Sequence, residues 1–180
     1  GHRAGPPTRR TLPMTIRMRR FPANQDCAAI HRGPLTYSLR IQEEWNVPDE
    51  SQAASEWQTA ELLPGSPWNY GLELDRRDPT AGMKYFPAEM DWGSTRGVEV
   101  GTPYTPFNDR HAPRVLVNGR RIPAWELDST GLVATLQPSP VMSGEPVEEL
   151  TLIPMGCARI RISAFPVIGS GPGAHEWKRP

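Results

Sequence analysis

The sequence predicts an all-β protein: an antiparallel β-sandwich of jelly-roll type with long irregular loops and little helix. Three observations carry that expectation. Apolar and polar side chains alternate in several short runs, the period-2 signature of a half-buried strand. No apolar period of 3.6 residues extends beyond a few positions. The 180 residues include 21 prolines, more than twice the average usage of about 5%. Proline stops helices and interrupts central strands, so short strands joined by loops are favoured.

Residues 1–11 are polar and rich in Pro and Arg, and read as a disordered tail. In "LPMTIRMRRFP" (12–22) Met14, Ile16 and Met18 alternate with Thr15, Arg17 and Arg19, which predicts one strand. "DCAAIHRGPLTYSLRIQEEW" (26–45) is the clearest β segment. Its Leu35, Tyr37, Leu39 and Ile41 share a face opposite Thr36, Ser38, Arg40 and Gln42. Gly33-Pro34 marks a tight turn or a bulge within it.

Residues 47–57 read as a polar loop or at most one helical turn, followed by strand candidates in "WQTAELL" (57–63) and "WNYGLELD" (68–75). From Arg76 to Arg114 the chain is rich in Gly, Pro and aromatics without a period, the mark of a functional loop or one packed on a partner. Asn118-Gly119 lies between two β-like runs of "RVLVNGRRIPAW" (114–125) and predicts a hairpin. "GLVATLQP" (131–138), "EELTLIP" (148–154) and "CARIRISAF" (157–165) complete about eight strands. In the last of these Ala158, Ile160, Ile162 and Ala164 face away from Cys157, Arg159, Arg161 and Ser163.

Charge narrows the function. Twenty basic residues against twenty acidic ones leave no net charge, whereas nucleic-acid and membrane-surface binders carry a basic excess. No apolar run approaches the roughly 20 residues that span a bilayer. "GHRAGPPTRR" lacks the apolar segment of a signal peptide. Two cysteines, Cys27 and Cys157, do not make a disulfide framework, so the compartment stays open.

Cys157 is the first candidate for chemistry. A reactive thiolate needs a His, a metal or a helix N-terminus beside it, and no histidine is near it in sequence; His2, His31, His111 and His175 are dispersed. Burial as a small apolar filler is the commoner state of cysteine, for Cys157 and Cys27 alike. No zinc-binding spacing is present. The adjacent acids Glu43-Glu44 and Glu148-Glu149 point to opposite faces of a strand, so neither pair makes a glycosidase dyad by itself. Glu89, Asp91 and Glu99 of the long loop are the acids placed to line a cleft, with Trp92 as a flat platform for a sugar ring. Trp45, Trp68 and Trp125 fall at strand ends, where packing is the usual role.

Five segments occur in an order that resembles the C-terminal part of bacterial β-L-arabinofuranosidase-like glycoside hydrolases, family 127 and its relatives. They are "LPMTIR" (12–17), "HRGPLTYSL" (31–39), "PWNYGLELD" (67–75), "APRVLVNGRRIPAW" (112–125) and "ELTLIPMGCARIRISAFP" (149–166). The resemblance implies an (α/α)6 catalytic barrel followed by β-sandwiches. Residues 1–23 would then be a tail plus the linker or closing strand of a preceding domain, 24–168 a sandwich accessory domain, and 169–180 a C-terminal tail. Met155 stands where the family pattern has Tyr, a departure that touches packing.

The family's cysteine nucleophile, zinc and acid/base glutamate belong to the barrel. This chain has no adjacent cysteine pair, so no catalytic or metal-binding role passes to it and Cys157 matches a scaffold position. The expected function is a non-catalytic accessory domain without a cofactor of its own, partnered by the barrel and a neighbouring sandwich. A module that binds plant-type oligosaccharide through exposed aromatics is the alternative, and an autonomous small hydrolase the third.

Overall fold

The computed structural model describes residues 14–46, 61–88 and 112–169. It is all-β and antiparallel, with little helix, as the alternation predicts. Among the described residues nine strands form: β1 (Ile16–Phe21), β2 (Cys27–Arg32), β3 (Leu35–Leu39), β4 (Glu43–Asn46), β5 (Glu61–Pro64), β6 (Tyr70–Leu72), β7 (Lys84–Phe86), β8 (Arg114–Arg121) and β9 (Glu148–Pro154). Seven make one sheet in the order β1-β2-β3-β9-β8-β6, with β7 also pairing β8; β4 and β5 form a separate two-stranded ribbon.

The Gly33-Pro34 signal becomes a two-residue turn, with Arg32 opposite Leu35. Gly33 takes φ +57, a left-handed value that a residue without Cβ adopts at no steric cost. Beyond His31 and Thr36 the two strands part, and β3 pairs β9 instead.

The C-terminal segment fills the gap. Phe165 exchanges backbone hydrogen bonds of 2.8 and 2.9 Å with Ala28 of β2, and the Leu72 amide of β6 donates to Pro166 O at 2.9 Å. Ile168 N returns to Leu72 O at 2.8 Å. Residues 165–168 thus bridge β2 to the edge strand β6, curling the sheet around its core. That core takes Tyr37 and Leu39 from β3, Val115 and Val117 from β8, Leu150 and Leu152 from β9, and Trp125 and Phe165 from the connections. β8 shows clear alternation: Val115, Val117 and Gly119 are buried while Asn118 is exposed.

Three local expectations are corrected. Asn118-Gly119 is not a turn, because β8 runs unbroken through it and Gly119 lies opposite both Leu72 and Glu148. A Cβ on Gly119 would sit 2.5 Å from Leu150 Cδ1 and 2.7 Å from Gly71 O. Glycine is there to let two backbones approach, a different use of the residue from a hairpin.

Residues 157–165 keep their alternation in burial, with Ala158 and Ile162 inside and Arg159 and Arg161 outside, yet form no ladder. A 3-10 turn at Met155–Cys157 takes the chain off the sheet. The Ile162 carbonyl instead accepts from Leu39 N at 2.8 Å and Ser38 Oγ at 3.0 Å. Residues 131–138 likewise make only an isolated bridge, Leu127 to Val133, around a turn organised by Asp128. The Thr130 hydroxyl, with the Thr130 and Leu132 amides behind it, holds the Asp128 carboxyl below the usual range.

Candidate functional site

A cleft of about 710 Å³ opens beside the β4–β5 ribbon, walled by the chain leaving β3, by β4, by the start of β6, by β9 and by residues 157–160. Its existence follows from where the ribbon departs. Antiparallel pairing from Glu43–Pro64 to Asn46–Glu61 holds the ribbon together. At its root Gly65 N donates to Gln42 O at 2.8 Å, and Gln42 N donates to Ser66 Oγ at 2.9 Å. An isolated hairpin is marginal in water, and these two bonds help fix it to the main body.

The cleft carries both charge signs, Arg40 and Arg159 with Glu43, Glu148 and Glu149. Arg159 reaches from beyond the 3-10 turn to Glu43 of β4 at 2.8 Å. Its guanidinium also lies 5.4 Å from the centre of the Trp45 ring, a cation–π geometry. Across the cleft Tyr70 donates its hydroxyl to Glu148 Oε2 at 2.8 Å. Burial, with the Glu148 contact second, pushes that phenol up to about 12. Glu149 pairs with Lys84 of β7 at 3.3 Å.

Glu148 and Glu149 therefore have separate partners, as strand alternation requires, while Glu43 and Glu148 meet in one cleft from strands far apart in sequence. No reading of adjacent pairs reveals that juxtaposition.

Trp45, whose strand-end position suggested core or interface packing, is 52% exposed and so is not a core residue. It shares the parity of Leu39 and Ile41 but not their burial, because β3 ends at Leu39 and β4 belongs to another sheet. Trp125 behaves as expected: 1% exposed, edge-on to Trp68 at 5.2 Å between ring centres, its indole N–H donating to Ala134 O at 3.1 Å. Asn69 braces the same corner with bonds to Ile122 O and Trp125 O.

Trp92, Glu89 and Asp91, the positions expected to meet a sugar, lie outside the described residues, as does Glu99. Cys27 is wholly buried on β2, and burial pushes its thiol up. Cys157 is half-buried on the cleft wall. Among the described residues His31 is the one histidine; it belongs to β2, exchanges a hydrogen bond with Thr36 at 3.2 Å and does not line the cleft. Burial and the nearby Arg19 charge hold its pKa down. Among the described residues no three His, Cys, Asp or Glu side chains could together hold a metal ion. The two cysteines on separate elements do not fit the cysteine-rich zinc centre that the resemblance associates with the barrel.

Comparison with protein-family models, curated proteins and solved structures finds no match to this chain.

Proposed function

We propose that this chain is a non-catalytic β-sandwich accessory domain of a β-L-arabinofuranosidase-like glycoside hydrolase, packing against that enzyme's catalytic barrel. One observation carries the reading: four of the five segments that resemble the family build most of the core, and the fifth, at 12–17, adds half-buried Ile16 against it. Apart from Ile30, Ile41 and Ile168, every side chain of the core cluster falls within them. The resemblance thus rests on scaffold positions. Exposed Leu127, Leu132 and Val133, together on the loop after Trp125, add an apolar surface of the kind that packs against a neighbour.

The test is the coding sequence immediately upstream together with an assay. A frame encoding a helical barrel with adjacent cysteines is expected, and the isolated chain is expected to leave aryl arabinofuranosides and other aryl glycosides intact. Turnover that is lost on alkylating Cys157 would favour an autonomous hydrolase, and turnover of any origin would overturn the accessory role.

A further inference from the structure

The cleft beside the ribbon does not include the exposed Leu127, Leu132 and Val133 among its walls, and its chemistry points to a ligand. We propose that it binds a neutral oligosaccharide, with the Trp45 ring against the C–H face of a sugar and the Arg159–Glu43 pair and Glu148 meeting ring hydroxyls. The site stands on this chain's own residues, independent of the accessory-domain reading.

Three properties select that ligand class. The volume of about 710 Å³ falls in the range of small-molecule sites, roughly 300–1,000 Å³. The exposed indole offers an electron-rich face to the weakly positive C–H bonds of a sugar ring. Arg159 already lies against this ring and is fixed by Glu43, so the platform and its flanking donors come pre-arranged, which lowers the ordering cost of binding.

Charge decides between a neutral and an ionic ligand. The lining mixes the two signs, Arg40 and Arg159 with Glu43, Glu148 and Glu149, and Arg159 holds Glu43 while Lys84 holds Glu149. An anion placed among them meets carboxylates and a cation meets guanidinium groups, so neither sign is favoured throughout. Hydroxyls, which both donate and accept, can join them without displacing a charge.

Isothermal titration of the purified chain with neutral arabino-, xylo- and cello-oligosaccharides, and with an oligouronate, tests the assignment. At least one neutral series is expected to bind with a dissociation constant of millimolar or below. Trp45→Ala should weaken it fivefold or more, and Trp45→Phe, which keeps a flat ring, should restore most of the loss. Trp45 is exposed, so both variants should keep the wild-type unfolding midpoint. Silence of every neutral ligand at 20 mM (roughly the weak end of useful affinities) would overturn the proposal. So would tighter binding of the oligouronate, or binding that survives Trp45→Ala but is lost in Trp92→Ala.

Discussion

The β8–β9 pair and the β4–β5 ribbon are both antiparallel ladders, yet opposite residues hold them together. β8 and β9 share five register positions and turn Val115, Val117, Leu150 and Leu152 into the core. β4 and β5 share four positions but leave Trp45 52% and Leu63 42% exposed. The ladder hydrogen bonds exchange protein for water partners at a net gain of only about 1 kcal/mol each. Burial of apolar area makes the difference between a strand pair that anchors the fold and one that remains on the surface, available to a ligand.

The comparison breaks most readily in the core. Leu152→Ala, at a fully buried position opposite Val115 and Leu39, is expected to cost about 2–5 kcal/mol in chemical denaturation through lost burial plus a cavity. A loss below 1 kcal/mol would show that β9 is not the centre of the core. Next comes Gly119→Ala. The added methyl meets Leu150 and the Gly71 carbonyl, and overpacking of this kind costs about 1–3 kcal/mol; a neutral result would contradict the close approach of β6 to β8.

Alkaline titration sharpens the same contrast, because the two late-ionising phenols are sheet residues. Burial pushes Tyr37 and Tyr70 each up to about 12. A phenol that keeps its proton longer in the folded chain than in the unfolded one subtracts stability once the unfolded chain has ionised. Stability should therefore be level up to about pH 10, the ordinary tyrosine value, and fall from there through about pH 12. Tyr70→Phe should lessen the fall; identical slopes in the two proteins would refute the assignment.

The smallest effect is expected in the ribbon. Leu63→Ala should change stability by no more than about 0.5 kcal/mol, as surface substitutions do, and the β4 and β5 amides should exchange with solvent before those of β8 and β9. Equal protection of the two pairs would erase the distinction drawn between them.

Much of the fold was legible because strand alternation is a local property. Met18 against Arg17 and Arg19, and Val115 and Val117 against Asn118, display their faces without reference to the rest of the chain. Gly33-Pro34 announced its turn for the same reason. Asn118-Gly119 misled because a glycine required by a neighbouring backbone looks the same in sequence as one required by a turn. The candidate site was almost illegible: Glu43, Glu148 and Arg159 become neighbours only when three distant segments assemble, and Trp45 changes role where the chain changes sheets.

The order of apolar and polar residues thus determined by itself that this chain is β, where most of its strands run and which faces they bury, since each follows from a two-residue repeat. Closure of the sheet by residues 165–168, the departure of the ribbon and the pairing of Arg159 with Glu43 in the cleft were decided by tertiary structure. These depend on which backbone donors remain unpaired once β2 and β3 part, and long-range pairing of that kind leaves no periodic trace in sequence.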